Sequence, residues 1–133
     1  MFAAVIFGVA ACAATADTNL TIPEDSIGYV VRSSGFSAYL FEGPDVDSSE
    51  HNPTVTLQRG ETYVFDNTTG SGHPFYIKFD SSAGSSNALG ESDGVTGSAT
   101  GTTIFTVPDD APDQLYYICS LHSAMAGDFS IVD

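Results

Sequence analysis

Positive charge is what this chain has least of: Lys and Arg together number 3 against 17 Asp and Glu, a formal net charge of -14 at pH 7. Proteins bind phosphate backbones by neutralising them with basic side chains, so nucleic acid is a poor partner. So acidic a surface suits solubility or a salty medium, and it also suits steering toward a basic redox partner. Cysteine is nearly as scarce, with Cys12 and Cys119 the two present. The uncharged apolar stretch from Met1 to Ala16 is too short to span a bilayer. No transmembrane span is therefore expected in the mature chain. With His51, His73 and His122 the only imidazoles and the acids scattered, no nucleophile, base and orienting group stand at a recognisable spacing. Hydrolytic catalysis has no support, and the chain is not read as an enzyme.

Residues 1–16 have the apolar character of a secretory signal, and Ala14-Thr15-Ala16 before Asp17 fits the small-residue cleavage pattern. A second reading stays open, because Val9-Ala10-Ala11-Cys12 resembles a bacterial lipobox. The signal would then be residues 1–11, and Cys12 would be lipidated and tether the protein. Either way the chain is expected to be exported, to a periplasm or the extracellular space. Residues 17–133 then form one domain of ordinary size, expected to act as a monomer. Loss or lipidation of Cys12 leaves Cys119 without a disulfide partner. In an oxidising compartment an unpaired thiol is a liability unless it is deeply buried or held as a metal thiolate.

No stretch after residue 16 holds a helical apolar period over three turns, whereas short runs rich in Val, Thr, Tyr and Phe recur between turn signals. The pattern predicts an all-β fold of eight strands: residues 27–32, 36–41, 54–58, 61–66, 75–79, 102–107, 114–119 and 128–132. Ser33-Ser34-Gly35 and Arg59-Gly60 are the expected hairpin turns. Residues 42–53 form an acidic loop. Residues 80–101, half Ser or Gly, are expected to be a long flexible crossing. The arrangement predicted is a Greek-key sandwich of two sheets. Alternation places Phe75, Ile77 and Phe79 on the core face with Tyr76 and Lys78 outward, and His73 shares the inward parity. Leu115, Tyr117 and Cys119 likewise share one face, which turns Cys119 inward.

Cys119, His122 and Met125 set a thiolate, an imidazole and a thioether within one short stretch, Cys-x2-His-x2-Met. A site of two His, one Cys and a long axial Met is what copper accepts in both of its common oxidation states. One imidazole must come from elsewhere, and His73 is better placed than His51, which lies in the acidic loop and reads as a solvated surface residue. Taken singly, each of these residues is more ordinarily core packing. Their joint spacing and parity favour one copper ion held by His73, Cys119, His122 and Met125.

The motif Cys119-x2-His122-x2-Met125, preceded by Tyr116-Tyr117 and followed by Ala126-Gly127 and a closing strand, resembles that of the cupredoxins, the small type 1 blue copper proteins. Its spacing is most similar to amicyanin, and its surroundings to plastocyanin and pseudoazurin. The resemblance covers about residues 54–133. It implies electron transfer, a hydrogen-bonding brace at Asn67, and an electron port at the exposed edge of His122 ringed by Leu121 and Ala124. One departure is Pro74, where the family usually has Asn or Asp after its first ligand His. His-Pro resembles the multicopper oxidases, but no further His follows at alternate positions, so an oxygen-reducing cluster is not expected. A cupredoxin-like structural or interaction module without functional copper is the alternative, and copper delivery would use the same ligands. Asn19-Leu20-Thr21 and Asn67-Thr68-Thr69 also match a glycosylation pattern. At Asn67 that reading competes with the brace.

Overall fold

A computed structural model describes residues 22–133. The segment 1–16, Cys12 and Asn19 lie outside the described residues. Nine strands are present among those described: β1 (Ile27–Ser34), β2 (Ala38–Glu42), β3 (Val55–Gln58), β4 (Thr62–Asn67), β5 (Phe75–Lys78), β6 (Val95–Gly97), β7 (Thr102–Thr106), β8 (Gln114–Cys119) and β9 (His122–Val132). They form two sheets, ordered β2-β1-β4-β7-β6 and β3-β9-β8-β5, with β1/β4 and β3/β9 parallel and the other pairs antiparallel. The all-β sandwich expected from the alternating runs is the fold observed. No helix among the described residues is long and apolar enough to cross a membrane.

Between the sheets lies an aromatic core in which Tyr39, Phe41, Phe65, Phe75, Phe105, Tyr117 and Phe129 are almost wholly buried. Most of the rings meet edge-on or tilted, at centroid separations such as 4.9 Å for Phe41 and Tyr117 and 5.4 Å for Tyr39 and Phe75, while Phe75 and Tyr117 stack. Such pairs add about 0.5–1.5 kcal/mol each beyond the area they bury, which favours a rigid frame.

Four expectations need correction. The crossing at residues 80–101 is not featureless: β6 pairs with β7, a 3-10 turn spans Glu91–Asp93, and Leu89 reaches the core. Two of its glycines permit close approach rather than looseness. Gly94 and Gly97 have φ of 97° and 99°, and a Cβ there would lie 2.2 Å from the Thr106 carbonyl oxygen and 2.1 Å from that of Thr102. Second, the first hairpin turns at residues 35–37, with Gly35 at φ 57°, so Phe36 sits at the tip and not in a strand. Third, β9 begins at His122 instead of residue 128.

The fourth correction concerns the end of β5. Phe75 and Ile77 face the core as expected, but Phe79 is 46% exposed and Lys78 is wholly buried. Phe79 lies beyond the strand, and the chain turns so that the Lys78 ammonium donates to the carbonyls of Ser82 (2.5 Å) and Gly84 (2.8 Å) and to Ser82 Oγ (3.1 Å), with Asp80 at 3.9 Å. A buried ammonium is tolerable only with its donors satisfied, and three oxygens do that here. Lys78 thereby pins the start of the crossing to the sheet. Lys78→Met should lower stability by about 2 kcal/mol, since hydrogen bonds to a charged group are lost, and the urea midpoint reads it. An unchanged midpoint would show that the loop needs no such anchor.

Candidate metal centre

Two local structures bring the candidate ligands together. In the first, Phe75 pairs with Cys119 across β5 and β8, and the Ser120 N–H donates to the Pro74 carbonyl at 3.1 Å. That register fixes the chain just ahead of β5 beside the end of β8. His73 occupies this position at the end of the 3-10 turn Gly70–Gly72, with φ -139° and ψ 76°. Its carbonyl accepts from Asn67 Nδ2 and from the Tyr39 hydroxyl, both at 2.8 Å, and from Thr69 Oγ1 at 3.3 Å. Asn67 also donates to the Ala99 carbonyl at 2.9 Å, and its Oδ1 accepts from the Thr69 N–H and hydroxyl. The backbone at His73 is therefore held from three sides.

The second structure is the β8/β9 hairpin. Ser120 and Leu121 make a two-residue turn, and Cys119 pairs directly with His122. Between that pair and the next, Ile118 with Ala126, the register slips, so residues 123–125 bulge out of the ladder. A bulge re-aims side chains that strict alternation would send elsewhere. Met125 is fully buried and belongs to the same core cluster as Cys119, while Ser123 and Ala124 are exposed.

The result is a buried thiol flanked by two imidazoles. Cys119 Sγ lies 3.7 Å from His73 Nδ1 and 3.4 Å from His122 Nδ1, and the three ligand atoms lie within 4.8 Å of one another. Ligands that share one first-row metal, at the bond lengths known for nitrogen and sulfur, stand roughly 3.5–3.8 Å apart for angles between tetrahedral and trigonal. The two sulfur–nitrogen separations, 3.7 Å and 3.4 Å, lie within that range or just short of it. Cys119 is wholly buried and His73 is 8% exposed, while His122 is half-buried. Burial holds the His73 pKa below the usual histidine range, and the neighbouring His122 lowers it further, which keeps the imidazole neutral with a lone pair to offer. Burial, and then the adjacent Cys119, push the Tyr39 hydroxyl well above its usual range, so it remains a neutral donor.

No family model matches the sequence, and no curated protein matches it. Among solved structures, the copper protein rusticyanin is 19% identical, with 82% of this chain and 79% of that chain covered and a TM-score of 0.50. Rusticyanin from Thiobacillus ferrooxidans (21% identity, 82% and 79% covered, TM-score 0.47) and amicyanin from Paracoccus versutus (20% identity, 83% and 84% covered, TM-score 0.45) are also similar. The fold is that of the cupredoxins. At these identities the likeness is one of fold, and the chemistry rests on this chain's own residues.

Within the cupredoxin fold, His73, Cys119 and His122 converge at one end, and the buried Met125 follows on the same hairpin, so the set has the composition of a type 1 copper site. His51 is exposed and outside the cluster. Asn67 has the bonding of a brace. Its Nδ2 spends both protons on carbonyls in a residue only 4% exposed, which leaves no room for a glycan on that nitrogen. Pro74 contributes through its carbonyl, the acceptor that ties β5 to Ser120.

Two participants were not anticipated from the sequence. Tyr39 was read as an ordinary strand residue, yet it supports the His73 carbonyl. Phe36 lies across the face of His122, with ring centroids 5.0 Å apart and planes inclined by 23°, and 5.8 Å from the His73 ring, although Phe36 itself is 71% exposed. A large aromatic in a glycine-containing turn, where no core position calls for it, was the available signal. Leu121, 63% exposed, and Ala124 are both exposed near His122 in the sequence, and Phe36 stacks on the imidazole itself.

Proposed function

We propose that His73, Cys119, His122 and Met125 hold one copper ion as a type 1 centre and that the protein is a one-electron carrier. The observation that carries this reading is the single buried thiol with an imidazole nitrogen at 3.7 Å on one side and 3.4 Å on the other. Copper in such a site exchanges one electron between its two oxidation states. Three strong ligands with a thioether suit that metal better than a closed structural zinc site, which takes four strong ligands. The aromatic core and the bonds to the His73 carbonyl hold the ligand atoms in place, so little rearrangement accompanies the transfer. Burial of Cys119 keeps water from the thiolate.

His122, with Phe36 across its ring and Leu121 beside it, is the route for electrons in and out. The partner is a redox protein with a basic contact face. Of the three basic side chains, Lys78 is buried, Arg59 pairs with Asp113 and Asp133, and Arg32 pairs with Glu42, while the acids are mostly exposed. Export to a periplasm or the extracellular space follows from the signal-like residues 1–16, with attachment through Cys12 as the variant form. No hydrolytic or other enzymatic role is proposed, and the carrier works as a monomer.

Addition of Cu(II) to the purified protein should saturate at one equivalent and produce the intense blue thiolate charge-transfer band. A protein that stays colourless, with apo and copper-treated samples melting at the same temperature, would instead be a cupredoxin-like interaction module, because a ligand bound to the native state must raise stability. A blue protein whose copper passes readily to a chelator would point to copper delivery.

A further inference from the structure

One residue of the acidic loop 42–53 is tied to the end of the sandwich that carries the candidate ligands. Asn52 adopts φ 48°, a left-handed conformation that Asn tolerates better than most residues. Its backbone N–H donates to the Tyr39 carbonyl at 2.9 Å, and its Oδ1 accepts from the Tyr39 N–H at 2.9 Å. The side chain therefore stands in for a strand residue and extends the edge of β2. Its remaining group, Nδ2, donates to the Ala124 carbonyl at 3.1 Å. Ala124 is the middle residue of the 123–125 bulge, the part of β9 that has no ladder partner on β8. The next residue, Pro53, accepts a 2.6 Å bond from the buried Tyr117 hydroxyl.

A bulge released from its own ladder is the least constrained part of a strand, and here it carries Met125. The geometry points to Asn52 as a positioning residue for Met125: the amide clamps the bulge to β2, and through it holds the thioether in the core cluster that also contains Cys119. Tyr39 is the shared post of the frame, since its hydroxyl supports His73 while its backbone holds Asn52. One strand of the opposite sheet thus fixes both sides of the centre. The inference rests on the copper reading only for its consequence. An axial ligand tunes the reduction potential of a type 1 site, and a weaker thioether contact stabilises the oxidised ion less, which raises the potential.

Two variants separate the bonds. N52G removes the side chain and suits the left-handed backbone, so the fold is not strained. N52D keeps an oxygen for the Tyr39 N–H but faces the Ala124 carbonyl with a carboxylate in place of a donor. In the copper-free protein, the Met125 methyl NMR signal should shift and broaden in both variants. In the copper-loaded protein, the ratio of the two visible charge-transfer bands should change in the same sense as in Met125→Leu, and the potential should rise. Should N52G melt too low to study, N52D carries the same comparison. An unmoved methyl signal in the copper-free variants, with unchanged bands and potential, would overturn the assignment. A shifted methyl signal in a protein that takes up no copper would uphold the clamp and remove the copper reading instead.

Discussion

Replacing Cys119 by serine should abolish the blue band entirely and lower copper affinity by more than the roughly 10–100-fold that follows loss of an outer hydrogen-bonding partner. The reason is electronic. The colour of such a site is charge transfer from a thiolate, and a serine hydroxyl neither deprotonates near neutral pH nor supplies a soft anion. What remains, His73 and His122, is a pair of imidazoles without an anionic ligand. Cys119 is fully buried between the sheets, so the serine hydroxyl must also be desolvated there, a cost of about 1–3 kcal/mol to the copper-free fold. The comparison is therefore made on the metal-induced gain in stability and not on absolute melting temperature. Copper at about a hundred times its dissociation constant stabilises the native state by about 2.7 kcal/mol, and that gain should vanish in Cys119→Ser. Cys119→Ala, which buries no hydroxyl, should behave alike toward copper and retain more of the fold. Persistence of the band or of the stability gain in either variant would mean that the metal sits elsewhere.

Gly127→Ala should lower stability by roughly 3 kcal/mol, a large effect for one methyl group. Gly127 pairs with Tyr117 across β8 and β9, and a Cβ there would fall 2.3 Å from the Tyr117 hydroxyl oxygen and 2.5 Å from Cζ. Tyr117 cannot easily yield. Its ring is buried against Phe41, Phe75 and Phe129, and its hydroxyl donates to the Pro53 carbonyl at 2.6 Å. The variant must either break that buried bond or push the ring into the core, and each costs more than the methyl group returns. The loss is read as a shift in denaturant midpoint with an unchanged slope. Because Pro53 follows Asn52, the copper-loaded variant should also show a disturbed visible spectrum. A midpoint within experimental scatter of the wild type would show that Tyr117 is more mobile than its packing implies.

The hairpin that carries three of the four candidate ligands was legible because its information is local. Cys119, His122 and Met125 lie within one turn and the strand that leaves it, and no distant contact is needed to place such residues near one another. Alternation in β5 and β8 also placed Phe75, Ile77 and Cys119 correctly, since a strand buried on one face has few ways to orient its side chains. The same rule failed at the last residue of β5 and at the one beyond it. At Phe79 the strand has ended, and Lys78 turns inward because loop oxygens four and six residues ahead satisfy its ammonium. Residues 80–101 were misread for a related reason. Ser and Gly carry little apolar signal, so β6 is held by backbone pairing to β7 and by glycines that let the chains touch, neither of which leaves a pattern in hydrophobicity.

By itself, the order of residues determined the kind of fold, the donor atoms and the surplus of negative charge, because alternation, side-chain chemistry and formal charge belong to each residue and its near neighbours. Only the tertiary structure decided that His73 meets Cys119, that Phe36 covers His122, that β9 bulges at Met125, and that Asn52 ties that bulge to the other sheet. Those outcomes depend on register between strands far apart in the chain and on which polar groups find partners once water is excluded.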